Sequence, residues 1–188
     1  MRRFYRRSGF FSQWRGLARS LGRYWKIYGG WDAARTSPYV HISLLLSIFA
    51  LLFSDVEENA ADVALSTIPN LLGFTVGAMA IVLAFSSAKA FVALAEGGEP
   101  NSFFMKLAAS LIHFILVQVL ALTVGIFAKV TKIGWLDIVV LFLLFYGVLT
   151  AFAAGMQLFY AAIIYNAGAN SDDATKETRV DDFKENNP

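Results

Sequence analysis

Residues 68–89, IPNLLGFTVGAMAIVLAFSSAK, decide the fold class of this chain. No ionisable side chain occurs from Pro69 to Ser87, and the run stops at Lys89. At ~1.5 Å of rise per helical residue, about 20 such residues form a rod as long as the ~30 Å hydrocarbon core of a bilayer. At about 100° per residue, Asn70, Gly73, Gly77, Ala80, Ala84 and Ala88 share one narrow sector, with Leu71, Phe74, Val82 and Phe85 towards the other side. A flat small-residue face backed by a bulky one suits close packing of helices in lipid. Gly73, Gly77, Ala80 and Ala84 are therefore the expected contact with another helix, in the same chain or in a second copy.

Composition agrees. Of 188 residues, 57% are hydrophobic and 16% charged, with a mean hydropathy of +0.55; a soluble domain carries nearer ~25% charged residues. There is no cysteine, which removes disulfides, thiolate catalysis and cysteine-ligated metals together. The two histidines form no HExxH, and there is no GxSxG or phosphate-cradling glycine loop. No enzyme activity, cofactor or metal is expected.

Outward from the central run, three further apolar segments predict an all-α, polytopic membrane protein with four crossings, near residues 39–54, 69–88, 104–128 and 135–165. Ser37 and Pro38 suit a helix start before the first. Its 16 residues, 39–54, span only ~24 Å, so it either crosses with help from its flanks or re-enters. His41 falls near its start, at headgroup level. Residues 55–67 carry four acids and no Lys or Arg, and read as an exposed loop. Residues 95–101, AEGGEPN, make a turn. In the third crossing Ser110, Gln118, Ala121, Gly125 and Ala128 share one side, with His113 about 140° from Gln118. In the fourth, Gly147, Ala151, Ala154 and Gly155 form a second small face. Residues 166–188 are polar and acidic and are expected to be disordered.

The first 38 residues differ from the rest, with nine Lys/Arg against one acid, Asp32. Their aromatic and aliphatic residues (Trp14, Leu17, Leu21, Tyr24, Trp25, Tyr28) recur at helical spacing, with Arg15, Arg19, Arg23 and Lys26 between them. This pattern predicts a basic amphipathic helix in the headgroup plane, touching anionic lipid through those four cations. Gly16, Gly22 and the Gly29–Gly30 pair would interrupt it. The bland alternative is a positive-inside topology signal alone; an Arg-rich, acid-poor start is also a transit-peptide composition. Nucleic acid is not the expected partner, because the aromatics belong equally well at a bilayer interface. With four crossings and the N-terminus inside, fourteen Lys/Arg fall on the cytoplasmic side and two outside, predicting both termini cytoplasmic.

No Asp, Glu, Lys or Arg lies in the central part of any crossing, which argues against a charge-coupled transporter. Three polar residues remain there. Asn70 is expected to cap the second helix or bond to a neighbour. His113 and Gln118 are expected to face protein and hydrogen-bond across helices.

Tyr28-Gly29-Gly30-Trp31, Ser37-Pro38-Tyr39 and Ile68-Pro69-Asn70-Leu71-Leu72-Gly73-Phe74, in that order and spacing, resemble small bacterial inner-membrane proteins that include retron-associated transmembrane effectors of phage defence. The likeness spans about residues 24–90. It implies an activity that perturbs or permeabilises the host membrane after a trigger and, being a bacterial inner-membrane family, that membrane as the location. The small faces on two crossings suit either a tight four-helix bundle or a homo-oligomer. The second pair of crossings is additional to the two of those effectors. The competing expectation is a non-conducting scaffold or accessory subunit that recruits a protein partner through its first or last segment.

Overall fold

The computed structural model describes residues 10–53, 60–84, 99 and 102–185, with side chains for 12–53, 60–84, 99, 102–164 and 166. The arginines before Phe10, residues 54–59 of the acidic stretch, residues 85–88 with the Lys89 stop, and nearly all of the 95–101 turn lie outside the described residues. Among the described residues every element is a helix: α1 (Phe10–Tyr28), α2 (Gly30–Thr36), α3 (Pro38–Phe53), α4 (Ala60–Ala84), α5 (Phe103–Thr131) and α6 (Gly134–Glu185).

Three helical segments are long and apolar enough to cross a membrane, namely Ala60–Ala84, Phe103–Thr131 and Gly134–Ile164. α2 and α3, bent by 50° across Ser37, add a fourth if they count as one broken span. This is consistent with a multi-pass membrane protein.

The helix ends follow local chemistry. Ser102 caps α5, its hydroxyl accepting from the Met105 N–H at 3.4 Å. Lys132 closes α5 in the left-handed region (φ 54°), returning its N–H to the Ala128 carbonyl. Gly29 takes φ 105° between α1 and α2, and a Cβ there would lie 2.9 Å from that of Ala33. Only glycine fits this corner without strain.

Two boundaries differ from the sequence reading. Residues 60–67 are the first turns of α4 rather than loop, with Asp62 in the first turn, where the helix dipole favours negative charge. The final segment, expected to be disordered from residue 166, is instead helix to Glu185. Extending a formed helix needs only one residue fixed per hydrogen bond gained, and no proline interrupts residues 166–185.

α4, α5 and α6 pack on one another; α3 lies along α6, and α1 along α5. The distribution of side chains on α3 is the reverse of a soluble helix. Its buried residues are Ser43 and Ser47, at 0% and 3% exposure, while Leu45 and Leu52 are 68% and 73% exposed. The two serine hydroxyls donate back to the Tyr39 and Ser43 carbonyls at 2.6 and 2.7 Å, so neither is left unpaired. In lipid the leucines lose nothing by facing outward, and the small serine edge lets α3 approach α6.

α4 is rotated away from the expected orientation. The face it buries carries Ala61, Ala64, Ile68, Thr75, Ala78 and Val82. Gly73, Gly77, Ala80 and Ala84 are exposed, and a Cβ at Gly73 or Gly77 would meet nothing within 4 Å. Within one chain, then, the glycine stripe is not a packing face. Asn70 is no cap either: it lies inside α4, exposed, with Nδ2 donating to the Ser66 carbonyl at 3.4 Å.

Candidate functional site

A polar layer crosses the middle of the bundle. Gln118, near the midpoint of α5, is fully buried. Its Nε2 donates to Thr75 Oγ1 of α4 at 3.1 Å, and Thr75 passes its own proton to the Leu71 carbonyl at 2.9 Å. Thr75 is thus already a donor, which fixes the amide orientation of Gln118. From α6, Thr150 Oγ1 donates to the Gly147 carbonyl at 3.0 Å. Gly147 permits the close approach of α6, since a Cβ there would stand 3.0 Å from Ile68 Cδ1 and 3.9 Å from Gln118 Cγ. Above and below the layer lie two apolar clusters, one around Ile68, Ala121, Leu141 and Leu144, the other around Ala78, Leu111, Phe114 and Ala154. Among the described residues Gln118 Oε1 has no hydrogen-bond partner, an arrangement that costs about 1–3 kcal/mol in a buried site.

The Thr75 bond explains the rotation of α4. Turning the glycine stripe inward would carry Thr75 to the outside and strand the whole amide of Gln118 in hydrocarbon. A pattern of side-chain size cannot register that constraint.

The second centre is His113, also on α5 and also buried. Its Nδ1 lies 2.8 Å from the Tyr24 hydroxyl of α1, and its Nε2 lies 2.8 Å from the Tyr146 hydroxyl of α6. The Tyr28 ring stacks on the imidazole with centroids 4.0 Å apart and planes at 15°. A neutral imidazole satisfies both bonds at once: one tyrosine donates to the bare nitrogen, and the other accepts from the ring N–H. Neutrality also suits the setting, because no described carboxylate bonds to the ring. His113 therefore clasps α1 to two of the core helices. Burial, and then the neighbouring Tyr28, push the Tyr24 hydroxyl from 10.0 up to about 12; Tyr28 is raised too, chiefly by burial.

The clasp sets how α1 faces the bundle. Trp14, Leu17 and Leu21 are exposed. Arg19 and Arg23, with Gly16, Ser20, Tyr24 and Ile27, instead form one wall of a cleft against α5. Arg15 and Lys26, grouped with them in the sequence reading, do not line this cleft, although both are exposed.

Of the other expected contact residues, Ala151 is buried in the bundle beside the tightly packed Gly147, whereas a Cβ on Gly155 would meet nothing within 4 Å. Among the described residues no group of three His, Asp or Glu is placed to hold a metal ion. The tyrosine partners of His113 escape the sequence reading. Tyr24 and Tyr28 look like interfacial aromatics, and Tyr146 carries no motif. The available signal was the four-residue spacing of Tyr24 and Tyr28, which places both on one helical face.

Comparison with protein-family models, with curated proteins and with solved structures finds no match to this chain.

Proposed function

We propose that this protein acts on the membrane that holds it, as an oligomeric, membrane-perturbing effector of the bacterial inner membrane. In this reading α2–α3, α4, α5 and the first part of α6 make four crossings, both termini face the cytoplasm, and α1 is an amphipathic arm in the cytoplasmic leaflet. The observation that carries it is the glycine stripe of α4: Gly73, Gly77, Ala80 and Ala84 lie outside the packed bundle. Small residues permit close approach of helix backbones in lipid, and among the described residues nothing lies within 4 Å of a Cβ at Gly73 or Gly77. The resemblance to retron-associated effectors supports the same reading. So does the exposed apolar edge of α1, which suits insertion among acyl chains.

The test is induced expression with a potential-sensitive dye. Wild-type protein collapses the membrane potential, and Gly73→Leu with Gly77→Leu abolishes the effect while leaving insertion intact. Unchanged potential at full, correctly inserted expression of the wild type refutes the proposal.

A second reading, a non-conducting scaffold or accessory subunit, is favoured by a separate observation. The core is closed around Ile68, Leu111, Gln118 and Val140, and α6 continues as helix well past its apolar segment. That reading requires a detergent-stable complex with a second protein, lost on removing residues 1–35 or 167–188. Isolation of a lone species from native membranes counts against it.

A further inference from the structure

The cleft between α1 and α5 has a volume of about 430 Å³. One wall carries Arg19, Ser20 and Arg23; the other is the apolar flank of α5 at Met105, Ala108 and Ile112. Among the described residues no acid lines it and neither arginine has a carboxylate partner. A second cleft, near the junction of α5 and α6, differs in charge. There Asp62 and Asp137 stand with Lys129 and Lys132, and Asp62 pairs with Lys129. That site neutralises itself, whereas the α1 cleft does not.

We propose that the α1–α5 cleft binds one anionic phospholipid of the surrounding leaflet, its phosphate held by Arg19 and Arg23 and an acyl chain laid along Met105, Ala108 and Ile112. The inference rests on the membrane reading of the fold and deepens it by naming a lipid class and a site. Guanidinium groups bind phosphate oxygens through paired, planar N–H donors, and Ser20 adds a hydroxyl. The opposite wall decides between a lipid and a soluble anion. It belongs to a helix apolar enough to cross a membrane, so a ligand in contact with both walls needs a charged head and a hydrocarbon part. The exposed Trp14, Leu17 and Leu21 hold α1 in the same leaflet. Gly16 keeps the space open, since a Cβ there would meet nothing within 4 Å.

The experiment is native mass spectrometry of the full-length protein released from nanodiscs of mixed phosphatidylglycerol and phosphatidylcholine. One phosphatidylglycerol stays bound to the wild type, and Arg19→Gln with Arg23→Gln weakens its retention roughly 30-fold, from about one kcal/mol-scale contact per arginine. Gly16→Leu, which leaves every charge in place and fills the cleft, also displaces the lipid. Arg35→Gln with Lys132→Gln removes the same net charge elsewhere and retains it. Circular dichroism establishes that the variants remain helical. Equal retention of phosphatidylcholine, undiminished retention in both cleft variants, or full displacement by glycerol phosphate would each overturn the proposal. Because lipid retention is measured on purified protein and membrane potential in cells, failure here is distinguishable from failure of the effector reading.

Discussion

Consider the removal of the tyrosines that clasp His113. Tyr24→Phe keeps the ring but deletes the hydroxyl that lies 2.8 Å from Nδ1. Interhelical hydrogen bonds in membrane proteins contribute about 0.6 kcal/mol on average and up to ~1.7, so this change raises the undocked population of α1 roughly 3- to 20-fold. Tyr28→Leu deletes the ring stacked 4.0 Å from the imidazole, a contact of about 0.5–1.5 kcal/mol. Together the two changes cost about 1–3 kcal/mol, or roughly 5- to 150-fold in the undocked population. The arm supplies its own reporter, because trypsin cleaves after Arg15, Arg19, Arg23 and Lys26. When opening is fast relative to cleavage, the rate tracks the open fraction. In nanodiscs of zwitterionic lipid, cleavage within α1 accelerates in the order wild type, Tyr24→Phe, double variant. His113→Leu should resemble the double variant. Equal cleavage rates in all four proteins would falsify the clasp.

Four further outcomes are expected. Gly147→Leu drives a side chain into Ile68, where even a Cβ stands at 3.0 Å; overpacking of this kind costs about 1–3 kcal/mol, and the protein melts lower in detergent. Gly73→Leu leaves that melting temperature unchanged, since nothing lies within 4 Å of its Cβ position. Thr75→Val removes the acceptor of the Gln118 amide and lowers stability by about 0.6–1.7 kcal/mol, whereas adding Gln118→Leu recovers part of that loss in a double-mutant cycle. Tyr24 is held protonated when docked, at about 12 against 10.0. The Tyr24 contribution to docking is therefore fully present below about 10 and is lost as pH rises from there through 12; absorbance titration shows a tyrosinate forming near the higher value, missing in Tyr24→Phe.

Three long apolar helices were legible because lipid imposes a simple demand: long stretches of Pro69 to Ser87 type, free of ionisable groups. His113 and Gln118 were legible as residues that need protein partners for the same reason. Their partners were not. Thr75 is one of many threonines a sequence offers, and its pairing with Gln118 exists only once α4 and α5 lie side by side. The same bond reverses the reading of α4. Two faces of that helix carry small residues at packing spacing, one through Gly73 and Gly77, the other through Ala61, Ala64 and Ala78. Size alone favoured the glycines, and a single hydrogen bond selected the alanines. For α1 the periodicity separated aromatic from cationic residues and set the four cations against anionic lipid, with no sign of a neighbouring helix. In the docked helix Arg19 and Arg23 line the cleft against α5, whereas Arg15 and Lys26 do not. The helical end of α6 was missed because polarity, rather than helix propagation, set the expectation.

That helix has a mechanical consequence. From Gly134 to Glu185 it is one uninterrupted 52-residue element, about 78 Å of rod at the usual rise. Tyr146, held by His113, is anchored in its first third. A rod without a joint cannot absorb a twist locally, so rotation of the clasped turn reappears at the far end as a sweep of everything attached there. The tail is in this sense a pointer, geared to the histidine that holds the arm.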